Sequence, residues 1–122
     1  MVFSVEPASL EVMIDPGQLE QALINLLKNA AEAMAVVASS RAPQAVVSAR
    51  LSRGSRLRIE VADNGPGVPE ALAAHIFTPF FSTKKQGRGI GLAMVRHLVH
   101  ANGGTVRYAR SVGAGARFML TF

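Results

Sequence analysis

Apolar Leu57, Ile59 and Val61 alternate with Arg58, Glu60 and Ala62, and the run stops at Asp63-Asn-Gly-Pro-Gly67. Alternation with a period of two marks a strand that lays one face on a core and turns the other to water. Sheets made of such strands need cover on one side only. Two other segments can supply it. Asp15-Pro16 reads as a helix start, a capping carboxylate followed by proline at the first helical position. From there Leu19, Leu23, Leu26, Leu27, Ala30, Ala33, Met34 and Val37 recur at helical spacing and predict one broad apolar face. Leu92 to Ala101 predicts a second helix, with Leu92, Val95, Leu98 and Val99 on or near one face and Asn102-Gly-Gly104 as its stop.

Further strands are expected at residues 2–6 and 10–14, joined by Pro7-Ala-Ser9, and at residues 46–52, which turn back through Gly54-Ser55. Two more are expected at 105–110 and 116–122, with Gly113-Ala-Gly115 between them. Pro69 to Ile76 reads as a short helix, and residues 77–89, lacking periodicity and holding Pro79, Gly87 and Gly89, as a loop. Hairpins together with one-sided helices predict a two-layer α/β sandwich, a mixed and mostly antiparallel sheet with helices on one face. At 122 residues, without repeat or linker, the chain is read as a single domain spanning 1–122.

Composition removes several classes. Half the chain is apolar (49%), against disorder, and without cysteine there are neither disulfides nor thiolate metal sites. No hydrophobic run is long enough for a membrane span or signal peptide, so the domain is expected in an aqueous compartment, the cytoplasm, without membrane contact of its own, while a longer parent chain could still be membrane-anchored. The net charge of +5 suits a polyphosphate ligand, acidic lipid or nucleic acid. Its carriers are scattered along the chain, form no basic helix with interleaved aromatics, and are read as solvated surface rather than a nucleic-acid site.

The residues suited to chemistry come in a fixed order. Asn25 and Asn29, four apart on the first helix, lie beside its apolar stripe, with Glu32 near them and Lys28 pointing away. A carboxamide oxygen can hold Mg2+ while phosphates and water fill the other positions. Asp63 closes a strand, where its carboxylate can accept from an exocyclic amino group such as that of adenine, and Gly65 and Gly67 let the backbone approach a flat base. Gly87-Arg-Gly-Ile-Gly91 precedes a helix, so its N–H groups suit phosphate oxygens. Phe77, Phe80 and Phe81 can pin this loop to the core, and Lys84 can neutralise terminal phosphate, whereas Lys85 is read as solvated. His75, His97 and His100 share no metal spacing and are read as structural or surface residues. No serine, histidine and aspartate set suggests a hydrolase triad.

From Asp15 to Phe122 this order resembles the catalytic and ATP-binding domain of two-component sensor histidine kinases, in a superfamily with heat-shock chaperone ATPases, type II topoisomerases and mismatch-repair ATPases. Leu23-Ile-Asn-Leu-Leu-Lys-Asn-Ala30 is similar to the asparagine box, and Asp63 to Val68 resembles the first glycine box. Ile76-Phe-Thr-Pro-Phe-Phe-Ser-Thr-Lys84 resembles the phenylalanine box, Gly87 to Leu92 the second glycine box, and Gly113 to Phe118 the closing glycine motif. The wording of the phenylalanine box is most like kinases of the nitrogen-regulation type.

The resemblance implies a Bergerat-type fold with ATP and Mg2+ as cofactors. Asn29 would be the metal ligand and Asp63 would read the adenine amino group. Asn25, Gly65, Gly67, Val68, Phe80, Lys84, Gly87, Arg88, Gly89, Ile90, Gly91 and Leu92 would complete the ATP site. Three positions depart from the family. Ala116 replaces a frequent threonine near the adenine, Arg88 a small polar lid residue, and Glu32 a lysine found in some members. Hydrolysing relatives carry glutamate four residues before the metal asparagine. Asn25 stands there and cannot take up a proton, so transfer to an external acceptor is expected over hydrolysis.

No acceptor-histidine motif occurs in the chain. The expectation is a monomeric, excised catalytic domain that binds ATP, does not phosphorylate itself, and serves a histidine on a separate dimerisation domain and, through it, a response regulator. Alternatives at this stage are a stand-alone serine kinase of the anti-sigma type, a nucleotide sensor without transfer, and a basic interaction module.

Overall fold

In the computed structural model residues 2–6, 14–37, 42, 44–52, 56–78, 91–110 and 115–122 are described. Among them the order is β1 (Val2–Glu6), α1 (Pro16–Val37), β2 (Ala45–Ser52), β3 (Arg56–Asp63), α2 (Gly91–Ala101), β4 (Thr105–Arg110) and β5 (Ala116–Thr121). The strands form one sheet in the order β1-β2-β3-β5-β4. β1 runs parallel to β2, and the pairs β2–β3, β3–β5 and β4–β5 are antiparallel. The sandwich expected from the alternating strands is therefore the observed architecture. The strand expected at 10–14 and the turn at Gly54-Ser55 fall, apart from Ile14, outside the described residues.

α1 begins as its sequence dictates. Asp15 Oδ1 accepts from the Gln18 N–H at 3.0 Å, which satisfies one of the donors a helix start leaves without an internal partner. α2 ends in a left-handed glycine cap. The Gly103 N–H donates to His100 O and the Gly104 N–H to Val99 O, both at 3.0 Å, with Gly103 at φ 76°. Asn102 does more than stop α2. Its Oδ1 accepts from the Asp15 N–H at 2.9 Å, and its Nδ2 donates to Gln18 Oε1 and Leu98 O, each at 2.8 Å. The end of one helix is thereby tied to the start of the other, so both lie side by side over the sheet.

The segment read as a short helix over Pro69–Ile76 forms a 3-10 helix, Glu70–His75. The Leu72 N–H bonds back three residues to Pro69 O at 2.9 Å. Six residues behind a proline are too few to offset the cost of nucleating an α-helix.

The core lies between the sheet and the helices. Ala22 and Leu26 of α1 and Val95 and Val99 of α2 meet Val47, Leu57, Ile59, Val61, Phe118 and Leu120 of the sheet. Complete burial of a leucine or valine side chain contributes about 1.5–3 kcal/mol. Leu26, Leu120, Val61, Val95 and Val99 are the largest side chains so enclosed. Phe77 stands edge-on to Phe118, ring centroids 6.2 Å apart at 84°, which anchors the chain just before the residues left undescribed. No helix of the described residues is long and apolar enough to cross a membrane.

Candidate functional site

The inward row of β3 runs Leu57, Ile59, Val61 and then Asp63, each buried. Asp63 thus occupies the register of a core residue, and among the described residues it is the one buried charged side chain, 8% exposed. A carboxylate withdrawn from water needs hydrogen bonds in compensation. Its Oδ1 accepts from the Gly65 N–H at 2.9 Å and the Ala116 N–H at 3.3 Å. Both of these bonds fall on one oxygen, so the side chain is oriented by backbone donors while Oδ2 is not used by either.

The turn after Asp63 is held from three sides. Asn64 is spent on structure. Its Oδ1 accepts from the Gln44 N–H at 2.9 Å and its Nδ2 donates to Ala42 O at 2.7 Å. Gly65 lies against α1, where a β-carbon would sit 3.0 Å from Ala33 Cβ and 3.1 Å from the Ala33 carbonyl. A side chain there would force the helix away. On the other flank Gly115, at φ 102°, leaves no room for a β-carbon, which would run into the Asp63 carbonyl. Gly67, at φ 75°, packs against the Gly115 carbonyl. Val68 rests on the core, and its N–H donates to the Tyr108 hydroxyl at 2.9 Å.

The second wall is the edge of α1. Ala22, Leu26 and Ala30 face the core, and Asn25 and Asn29, each half-buried, form the adjacent row with Ala33 next in line. Asn29 is one turn before Ala33, so it stands about 5–6 Å along the helix from the Gly65 contact. Asn25 Oδ1 accepts from Gln21 Nε2 at 3.1 Å. Lys28 and Glu32 are exposed, the first as expected from its position on the helix. The Gly65–Ala33 approach therefore sets the Asp63 turn against the same edge of α1 that carries Asn25 and Asn29. Gly91 and Leu92 open α2, and Leu92 packs on the core. Phe80, Lys84, Gly87, Arg88, Gly89 and Ile90 lie outside the described residues, as does Phe81. His75, His97 and His100 are exposed, and no group of three or more histidine or acidic side chains among the described residues is placed to hold a metal.

Sequence reasoning missed Tyr108. It sits on β4 at an inward position, its ring 5.4 Å from that of Phe118. A tyrosine turned toward a core needs a partner for its hydroxyl, and that requirement was the available signal. It also missed the backbone role of Ala116, since a main-chain donor leaves no trace in residue type.

A sheet covered by helices on one face, with a strand-terminal carboxylate beside an asparagine-bearing helix, defines a class of nucleotide-binding ATPase domain. Residues 14–122 match the family described as histidine kinase-, DNA gyrase B-, and HSP90-like ATPase, and the chain belongs to it. Within that family its relatives are sensor kinases. It is 37% identical over 118 residues to sensor histidine kinase ZraS of Klebsiella oxytoca, covering 97% of this chain and 24% of that protein. It is 34% identical over 119 residues to sensor protein FixL of Bradyrhizobium diazoefficiens, covering 98% and 23%. The catalytic domain of histidine kinase ThkA superposes with a TM-score of 0.83 at 30% identity, covering 99% of this chain and 76% of that one. Full-length ShkA in complex with AMPPNP gives 0.81 at 33%, covering 98% and 24%. The chain thus spans about a quarter of the length of the curated relatives it matches.

Proposed function

We propose that this domain binds Mg-ATP and passes the γ-phosphoryl group to a histidine on a separate dimerisation domain, in two-component signalling. One observation carries the reading: the buried carboxylate of Asp63, fixed through Oδ1 by two backbone N–H groups, opens a turn that packs through Gly65 on the edge of α1 carrying Asn25 and Asn29.

In this reading Asp63 accepts a hydrogen bond from the adenine amino group, and the Gly65–Val68 backbone lies along the base. The closeness of Gly65 to Ala33 sets the width between turn and helix. Asn29 would hold Mg2+. A single carboxamide, with no carboxylate cage among the described residues, suits a hard ion that keeps water and phosphate oxygens around it. When bound, the ion neutralises charge on the phosphates. Lys84 and the N–H groups from Gly87 to Leu92 would contact the phosphates, an assignment that rests on their sequence pattern. Phe80 would complete the ATP site, likewise on its sequence pattern.

Phosphoryl transfer needs positioning and charge neutralisation more than covalent help from the protein. Asn25 offers a carboxamide where a water-activating base would stand, and a carboxamide takes up no proton, so hydrolysis is slow and the acceptor comes from outside. The unit 1–122 is a catalytic domain, monomeric by itself, that works with a histidine-bearing domain and through it a response regulator. ATP supply and the absence of cysteine both fit the cytoplasm.

The test is incubation of the chain with γ-labelled ATP, Mg2+ and a helical dimerisation domain bearing the acceptor histidine. Acid-labile label on that domain, absent when Asp63→Ala or Asn29→Ala is used, is the expected result. Acid-stable label on serine would replace this reading with a serine kinase, and nucleotide binding without transfer would replace it with a sensor.

A further inference from the structure

The basic residues look scattered in the sequence, yet the register of the sheet gathers several of them. The face opposite the helices carries Arg56 and Arg58 from β3, Arg107 from β4 and Arg117 from β5, lining one shallow depression floored by Met119 and Thr121. Cross-strand pairing sets the rows. Arg58 stands beside Thr121, Arg107 beside Met119, and Arg117 between Ala62 and Ala109. Beside the depression, on the outward row of β3, stands the acid Glu60, whose Oε1 lies 3.0 Å from Arg117 Nε. Nε of Arg117 and Nε of Arg58 are both buried. Arg58 Nη2 rests on the Met119 sulfur. These four arginines and Glu60 leave the patch three charges positive, out of five for the whole chain.

We propose that this face, uncovered among the described residues, docks an extended, carboxylate-rich segment of a protein partner. Every cation lining it is arginine, whose planar fork matches a carboxylate with two parallel hydrogen bonds. The guanidinium groups of Arg58 and Arg117 are already held by the Met119 sulfur and by Glu60, so less rotamer freedom is lost there on binding. Same-face positions along a strand repeat every ~6.7 Å, in the sheet and in an extended ligand alike, so alternate acidic side chains of the segment meet successive rows. Nucleic acid fits less well. Tyr108 and Phe118 are turned into the core, so no described aromatic on this face offers a base a stacking surface. A lipid surface fits less well too, because the patch presents no large apolar group for insertion.

The test uses the full chain and a short fluorescent peptide of alternating glutamate and serine, read by anisotropy at low salt. Single-stranded DNA and phosphatidylserine vesicles serve as competing probes. The chain is expected to bind the peptide more tightly than either. Arg56→Glu combined with Arg107→Glu, both at exposed positions, is expected to weaken peptide binding about tenfold. Arg107→Glu alone gives part of that loss, should the double variant fold poorly. The same charge change on the helical layer, Lys28→Glu with Arg96→Glu, is expected to alter peptide binding less than about twofold. Unchanged nucleotide affinity in the Arg56 and Arg107 variants marks them as folded. Absence of peptide binding, equal losses from the two double variants, or tighter binding of DNA or vesicles would each overturn the proposal.

Discussion

The two faces of β3 share one backbone and do different work. Leu57, Ile59, Val61 and Asp63 point inward and are buried, while Arg56, Arg58, Glu60 and Ala62 face away and are exposed or half-exposed. The inward row packs three apolar residues and then, without a break in register, delivers a carboxylate to the end of the sandwich. The outward row contributes two of the arginines that meet Arg107 and Arg117. A single alternation thus sets the core, the depth of the strand-terminal acid and the charge of the opposite face. The inward side tolerates no loss of volume or acceptor. The outward side is expected to accept substitutions with little change in fold stability.

Four changes press on that contrast. Leu120→Ala, at a site with no exposure on the neighbouring β5, is expected to lower unfolding free energy by about 2–5 kcal/mol in a urea titration. A loss below about 1 kcal/mol would mean that the inward face is not close-packed. Asp63→Asn keeps an oxygen for the Gly65 and Ala116 N–H groups and removes the charge. It is expected to leave the fold intact and weaken ATP about a hundredfold by calorimetry, about 2.7 kcal/mol. Full ATP affinity in that variant would detach Asp63 from the ligand.

Tyr108→Phe removes the acceptor of the Val68 N–H and keeps the ring on Phe118, so a stability loss of about 1 kcal/mol is expected, with faster amide exchange at Val68. Unaltered exchange there would show that the bond does not hold the turn. Arg107→Ala, on the open face, is expected to change stability by less than about 0.5 kcal/mol. A larger loss would make the arginine face part of the fold and not a docking surface.

Much of this was legible in the sequence for definite physical reasons. The alternation in β3, the capping pair Asp15-Pro16 and the glycine stop after α2 are local signals, and each appears where local chemistry put it. The pairing of Asp63 with a glycine turn could be read because a strand-terminal acid is short-range information. Three things could not. Asn64 and Asn102 looked like turn residues, but their side chains bond to backbone and side chains 20 or more residues away. Tyr108 reaches Val68 across 40 residues. The arginines come from three strands, and only cross-strand register brings them together. Local signals fix elements, while long-range pairing fixes which residues share a surface.

The central claim is that a magnesium-bound adenine nucleotide lies between the asparagine edge of α1 and the Asp63 turn. Amide chemical-shift mapping of the whole chain with saturating ATP and Mg2+ tests it most directly. The account predicts the strongest shifts at Asn25–Ala30 and Asp63–Val68 together, with the outward positions of β4 and β5 unmoved. Shifts confined to the arginine face, or none in the two walls at saturation, would contradict it.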